Sequence, residues 1–355
     1  MTPLFRVGIS ADFHTEASGL LEPVLAEQLA PLPAIAYEFM PELLPEVTPA
    51  QIQGYDALIS LAVRFTAETL RGAERLVTIA RWGVGYDMID TQACTENDVL
   101  LCITRDAVRR PVAEGILTLL LALAKHLLIK DRLVREGRWA AKAGYPGLGL
   151  RGRTLGTVGV GNIGGDLARM LGPFDLRRIL AYDPYVSTAQ AAAIGVELVD
   201  LDTLMAESDF VSINCPLTKA TFHLIGERQI SLMKPSAMLI NTARGPIVDQ
   251  AALTRALQER RIAGAALDVF EQEPLPADDP LTQLDNVILS PHAIAWTDDL
   301  VRDNGIGACK NVLTILRGEV PAYTVNREVI ERPGFQAKLR ALRERWHSSI
   351  SFQSE

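Results

Sequence analysis

The stretch Thr157–Leu171, TVGVGNIGGDLARML, places glycines at 159, 161 and 164 between a β-branched apolar run and a helical pattern. Three glycines so spaced are weak evidence alone, because the chain contains 26 of them. The flanks decide the reading. TLGTVGV (154–160) has the composition of a buried strand, and apolar residues recur at helical spacing from Asn162 onward. Nineteen residues beyond Gly164, at the end of the next apolar run RILAYD (178–183), stands Asp183. Strand, glycine turn, helix and distal acid together form a dinucleotide-binding fingerprint. In it Gly159 permits the tight turn, Gly161 lets backbone approach a pyrophosphate, and Gly164 lets helix and strand pack closely. Asn162 and Ile163 lie between them at the helix N-terminus, which favours the phosphate charge. Asp183 is suited to accept hydrogen bonds from ribose hydroxyls and to repel a 2′-phosphate, which predicts NAD (NADH) over NADP.

Outward from this motif, short apolar runs alternate with helical patterns, the signature of an α/β protein with parallel sheets. Before it lie FRVGIS (5–10), AIAYEF (34–39), DALISLA (56–62), LVTIAR (76–81) and VLLCI (99–103). Pro111 stands where a helix can open, and the apolar spacing from Val112 to Val134 predicts one long crossover helix. The connector AGYPGLGLRG then leads into six expected strands, TLGTVGV, RILAYD, FVSINC (210–215), AMLINT (237–242), GAALDVF (264–270) and NVILS (286–290), which make a doubly wound sheet. One more helix is expected over roughly Thr297–Arg317, ended by Gly318. Phe335, Leu339, Leu342 and Trp346 then form a helical stripe that packs on this chain, packs on a partner subunit, or frays.

At 355 residues the chain exceeds one ordinary core, so two domains are expected. With 35 basic and 43 acidic residues the net charge is −8, without a long basic run, so neither nucleic acid nor an anionic membrane is an expected partner. Cys94, Cys102, Cys215 and Cys309 lie far apart with no C-x-x-C pair, which reads as reduced thiols in a cytoplasmic protein. GILTLLLALA (115–124) is too short to span a bilayer, and MTPLFRVGISADF lacks the pattern of a secretory signal. No metal-ligand cluster is expected.

In open α/β sheets ligands sit beyond the carboxyl ends of strands. Arg244 follows AMLINTA, Glu273 follows GAALDVF, and His292 follows NVILSP. A histidine titrates near neutral pH, so His292 can give a proton to a carbonyl oxygen during reduction and take it back during oxidation. Glu273 is placed to hold the other imidazole nitrogen and favour its charged form. Arg244 offers a planar fork of donors that suits an α-carboxylate and polarises the adjacent carbonyl. Each alone has a blander reading as a structural histidine, a turn cap or a loop carboxylate. Joint placement in a dinucleotide-binding sheet favours an acid, its orienter and an anchor.

From VTIARWGVGYDMID through TLGTVGVGNIG, CPLTKATFHLI, MLINTARGPIVD, AALDVFEQEPLP and VILSPHAIAWT, roughly residues 55–326, the chain resembles the D-isomer-specific 2-hydroxyacid dehydrogenases, in particular their phosphoglycerate, glyoxylate and hydroxypyruvate branches. The resemblance implies two Rossmann-like, doubly wound parallel-sheet domains with the active site between them, and a homodimer. The expected division is a discontinuous substrate-binding domain, residues 1–106 and 294–355, and an NAD-binding domain, residues 107–293. The implied reaction moves hydride between nicotinamide and C2 of a small D-2-hydroxy acid or 2-oxo acid. By motif, the catalytic set is again Arg244, Glu273 and His292. The resemblance further implies that backbone amides at Val84 and Gly85 bind the substrate carboxylate, that Asp268 faces the nicotinamide carboxamide, and that Pro216 and Thr242 line the cofactor site.

The chain departs from the family pattern in places. TRDAVRRPVAEG replaces an asparagine-proline-glycine turn, so Arg105, Arg109 and Arg110 either recognise a second substrate anion or lie on the surface. Leu61 and Ala62 stand where the phosphoglycerate branch has an arginine, with Arg64 further on, which weakens that branch. Trp296, four residues after His292, either walls the substrate pocket or packs between domains. The competing function is an NAD(H)-sensing binding protein of the same fold without substantial turnover. The residues after Ile330 are too few for a regulatory domain.

Overall fold

The computed structural model describes residues 4–346 and divides into two compact units, Met1–Val108 with Thr297–Glu355, and Arg109–Trp296. Residues 347–355, part of the C-terminal extension considered above, lie outside the described residues.

The first unit is built on five parallel strands, β1 (Phe5–Ile9), β2 (Ile35–Phe39), β3 (Ala57–Ser60), β4 (Thr78–Arg81) and β5 (Leu100–Cys102), in the order β2-β1-β3-β4-β5. β3 is buried at every position, as its continuous apolar run requires of a strand covered on both faces. The helix Asp298–Leu316, capped by the Thr297 hydroxyl, packs against β3 and β4. The edge of β5 is covered by the segment Tyr323–Asn326: Ile103 N donates to Tyr323 O, Val325 N donates to Leu101 O, and the Asn326 amide bridges Leu101 N and Val99 O. That leaves β5 no open edge for a stray strand.

The apolar stripe near the C-terminus packs on this chain. Helix Pro333–Trp346 buries Phe335, Leu339, Leu342 and Trp346 and contacts helix Asp298–Leu316. Its polar anchor is Lys338, whose ammonium donates to the carbonyls of Ala73, Leu76, Asn97 and Asp98 at 2.8–3.1 Å.

The second unit holds seven parallel strands, β6 (Thr154–Val158), β7 (Arg178–Tyr182), β8 (Glu197–Leu198), β9 (Phe210–Ile213), β10 (Met238–Asn241), β11 (Gly264–Leu267) and β12 (Val287–Leu289), in the order β12-β11-β10-β9-β6-β7-β8. The order reverses between β6 and β9, which makes the space beyond their carboxyl ends the switch point where such sheets hold ligands. β8 is the strand not anticipated from sequence. It is two residues long with its glutamate exposed, so it carries no periodic signal.

The expected long crossover helix is two helices, Arg105–Ala124 and Leu127–Arg135, bent by 58°. His126 adopts a left-handed conformation at the break (φ 51°), and Leu148 N donates to the Ala124 carbonyl that a continuing helix would use itself. The first helix also starts earlier than Pro111, which lies inside it. Its opening turn is held by the Tyr323 hydroxyl on Asp106 and by the Arg105 guanidinium 5.7 Å from the Tyr323 ring centre. Ala113, Ile116, Leu119, Leu120 and Leu123 of this helix join Leu155, Leu167, Phe210 and Ile240 in one buried cluster. No single helix among the described residues is long and apolar enough to cross a membrane.

Replacing Lys338 by methionine leaves four carbonyls without their shared donor, and stranded buried acceptors cost about 1–3 kcal/mol. The expected result is a lower urea midpoint with secondary structure retained; an unchanged midpoint would show that the ammonium contributes nothing.

Candidate active site

β6 ends at Val158, and the chain turns at Gly159 with φ +92°, a conformation open to glycine. A Cβ there would lie 2.9 Å from the Asn214 carbonyl carbon and from Cys215 N, so the turn rests on the backbone that follows β9. A Cβ on Gly164 would come within 2.5 Å of Gly159 O, which is how the helix Asn162–Met170 packs close on its strand. At Gly161 a side chain would meet nothing within 4 Å. Asn162 is exposed and Ile163 half-buried at the helix N-terminus. Thr157 Oγ donates to Gly159 O at 2.6 Å, and the Asn214 amide donates to Thr157 Oγ at 2.8 Å. Asn214 and Thr157 thus brace the turn. Neither belongs to the fingerprint, and only the adjacency of β6 and β9 reveals them.

Asp183 follows β7 as expected and is half-buried. Its Oδ2 accepts from Val160 N at 3.0 Å and its Oδ1 from Tyr185 N at 2.9 Å. The carboxylate is thereby fixed beside the glycine turn, and each oxygen keeps acceptor capacity for a hydroxyl. Pro216, two residues after Asn214, is exposed at the end of β9, and Thr242 is half-buried directly after β10.

Asp268, Glu273 and His292 come together at the ends of β11 and β12. The imidazole Nδ1 of His292 lies 2.8 Å from Glu273 Oε2, and Glu273 Oε1 accepts from Phe270 N at 2.9 Å. Burial pushes the Glu273 carboxyl upward, but the hydrogen bond and charge of His292, the Phe270 N–H and the Arg244 charge outweigh it and hold that carboxyl below its usual range. An ionised carboxylate only accepts, so Nδ1 is the donor in this contact. His292 is itself left-handed (φ 54°). The turn is pinned by Asp268, 4% exposed, whose Oδ1 accepts from Ala293 N at 3.0 Å and Ile294 N at 3.1 Å. Burial dominates at Asp268 and raises its carboxyl above the usual range despite the Ser290 hydroxyl and these two amides. Arg244 is half-buried after β10, with Nη1 donating to Ala243 O at 2.7 Å and Asn241 Nδ2 donating to its carbonyl at 3.0 Å. Trp296 is half-buried at the end of the same segment.

Val84 and Gly85 belong to the first unit, in the loop after β4, and both are half-buried. Among the described residues no protein acceptor takes either amide. The preceding peptide is fixed: Gly83 N donates to Thr104 Oγ at 2.6 Å, Thr104 N donates to Gly83 O at 3.0 Å, and the hydroxyl also meets Asn304 Oδ1 at 2.5 Å. Arg109 pairs with Asp166 at 2.8 Å and Arg110 with Glu114 at 2.5 Å.

Residues 117–293 match the model of the NAD-binding domain of the D-isomer specific 2-hydroxyacid dehydrogenases. Over 293 residues the chain is 43% identical to a glyoxylate reductase of Korarchaeum cryptofilum, covering 81% of this chain and 88% of that protein. The chain belongs to the D-isomer-specific 2-hydroxyacid dehydrogenase family. It is also similar to a D-3-phosphoglycerate dehydrogenase of Archaeoglobus fulgidus, 37% identical over 81% of this chain and 54% of the relative. The crystal structure of a D-lactate dehydrogenase from Aquifex aeolicus, complexed with NAD and lactic acid, matches with a TM-score of 0.78 at 28% identity, over 88% of this chain and 96% of that one. This D-2-hydroxyacid dehydrogenase is NAD-dependent, and two features of its second unit fit NAD: open space at Gly161 on a helix N-terminus, and a fixed carboxylate at Asp183.

Because a Cβ at Gly164 would strike the Gly159 carbonyl, Gly164→Ala forces helix and turn apart. The expected outcome is at least a tenfold rise in the Kd for NADH, read by cofactor fluorescence; unchanged affinity would remove the glycine turn from the cofactor site.

Proposed function

We propose that this enzyme reduces a small 2-oxo acid with NADH, and oxidises the corresponding D-2-hydroxy acid with NAD, through Arg244, Glu273 and His292. The Glu273–His292 contact carries this reading, because it leaves one imidazole nitrogen to exchange a proton while the other is held by an ionised carboxylate. When bound, NADH supplies the hydride to C2. His292 Nε2 delivers the proton to the carbonyl oxygen, and Glu273 stabilises the imidazolium before transfer and orients the ring. Arg244 binds the carboxylate and polarises the carbonyl. The amides of Val84 and Gly85 are carboxylate donors on the first unit, and Trp296 walls the substrate pocket. Gly159, Gly161, Asn162, Ile163 and Gly164 cradle the pyrophosphate, Asp183 takes the adenosine ribose, and Pro216, Thr242 and Asp268 line the nicotinamide end. Residues 1–106 with 294–355 serve as the substrate domain and 107–293 as the NAD domain.

The relatives named glyoxylate reductase make glyoxylate the first substrate to test, followed by hydroxypyruvate and 3-phosphohydroxypyruvate. NADH oxidation against these acids, with NADPH in parallel, is expected to show turnover with NADH. Binding of NADH without turnover of any of them would overturn the proposal. Arg244→Ala and His292→Ala are expected to lower kcat/KM about 10²- to 10⁴-fold with the fold retained. Wild-type turnover in either variant would refute its role.

The pH dependence has a definite sign. Reduction consumes the imidazolium proton, so its rate falls as pH rises while the rate of oxidation climbs. Glu273 is held below the usual carboxylate range, so its stabilising contact persists above that range and is lost only as pH falls below it. In kcat/KM profiles, His292→Gln is expected to remove the alkaline limb of reduction and Glu273→Gln the acid limb.

We also propose a cytoplasmic homodimer. Leu127, Leu128, Val134 and Trp139 are each more than half exposed on the second unit, an apolar surface suited to a second copy. The thiols of Cys94, Cys102 and Cys309 are buried and pushed up to about 12, as expected of unreactive cysteines in a reducing compartment. Light scattering is expected to give twice the 38.7 kDa chain mass; a monomer at micromolar concentration would refute the dimer.

A further inference from the structure

A second histidine–glutamate pair lies outside the residues assigned above, at the base of the loop that carries Glu273. His223 Nε2 lies 2.9 Å from Glu271 Oε1, and the backbone N–H of Gln250, the first residue of the helix Gln250–Gln258, donates to that same oxygen at 2.9 Å. The contact is reciprocated: Glu271 N donates to the Gln250 side-chain oxygen at 3.0 Å. His223 is tied in turn to the segment after Arg244, since its own N–H donates to Pro246 O at 2.8 Å. The exposed Phe222 ring stacks on the imidazole at 4.1 Å and fixes its plane. The loop also lies directly on Gly245, where a Cβ would overlap the Phe270 carbonyl and Glu271 N. Three strand ends therefore meet at one carboxylate oxygen: the loop after β9 through His223, the segment after β10 through Gln250, and the loop after β11 through Glu271 itself.

We propose that Glu271, held by His223 and Gln250, is a positioning residue that sets Glu273 and Arg244 relative to each other. Glu273 is two residues along from Glu271, and its Oε1 is held by the N–H of Phe270, the residue whose carbonyl is pressed on Gly245. Arg244 immediately precedes Gly245. Releasing the Glu271 oxygen lets the Phe270–Glu273 loop lift from Gly245 and removes the fixed geometry on which the Glu273–His292 contact depends. The role needs an acceptor at Oε1 and no charge.

This inference rests on the catalytic reading of Arg244, Glu273 and His292, and the test separates the two. Glu271→Leu removes the acceptor at nearly constant size, while Glu271→Gln keeps an oxygen for both donors. Glu271→Leu is expected to lower kcat for 2-oxo acid reduction about 10- to 100-fold, leave the Kd for NADH unchanged, and move the acid limb of the pH profile upward as Glu273 loses its partners. Glu271→Gln is expected to restore kcat to within about threefold of wild type and to restore the acid limb. His223→Asn, which tolerates the left-handed backbone but is too short to reach Glu271, is expected to fall between them and reports on the junction should Glu271→Leu fail to fold. Wild-type kcat and acid limb in the folded Glu271→Leu or in His223→Asn overturns the proposal, as does a Glu271→Gln variant as impaired as Glu271→Leu. Arg244→Ala and Glu273→Gln run alongside: their retention of full turnover sinks the catalytic reading itself, whereas their collapse beside an active Glu271→Leu sinks the positioning role alone.

Discussion

β6 is buried at all five positions, so its backbone N–H and C=O groups depend on β7 along one edge and β9 along the other. Two of this protein's properties follow from that constraint. The chain that leaves β6 between these neighbours turns at Gly159, pressed against the backbone that follows β9. The reversal of strand order at the same place leaves an open space above β6 with a helix N-terminus pointing into it. The glycine turn and the helix that follows it thus stand at the switch point of the sheet.

The same logic of strand ends governs the carboxyls and the imidazole beyond β11 and β12. Asp268 and Glu273 follow one strand, and burial raises both carboxyls, yet they end on opposite sides of the usual range. Asp268 faces a hydroxyl, two backbone amides and the His292 charge, which do not offset its burial. Glu273 faces an imidazole, a backbone amide and a guanidinium charge, which more than offset it. The first carboxyl pins the turn that presents His292 and the second holds the ring. Both contacts sit among densely hydrogen-bonded peptides around Gly245 and Ala293.

Much was legible in the sequence because it is local. Eleven expected strands match structural ones to within a few residues, since continuous apolar runs bounded by turn residues have few other ways to be buried. The glycine spacing and Asp183 at the end of β7 were readable for the same reason. Two expectations failed for different reasons: β8 is too short for a local pattern, and the break at His126 is stabilised from outside its own stretch by Leu148, twenty-two positions away, which supplies the competing hydrogen bond.

The sequence by itself determined the alternation of strands and helices, the glycine turn after β6 and the placing of Arg244, Glu273 and His292 after strands. Backbone sterics, hydrophobic period and side-chain chemistry are properties of short stretches. Only the tertiary structure decided that Asn214 braces the glycine turn, that Asp268 holds the His292 turn, that Lys338 caps four distant carbonyls, and that His223, Gln250 and Glu271 meet at one oxygen. Those contacts join residues whose separations carry no periodic signal, because parallel strands bring together in space loops that the intervening helices keep apart in sequence.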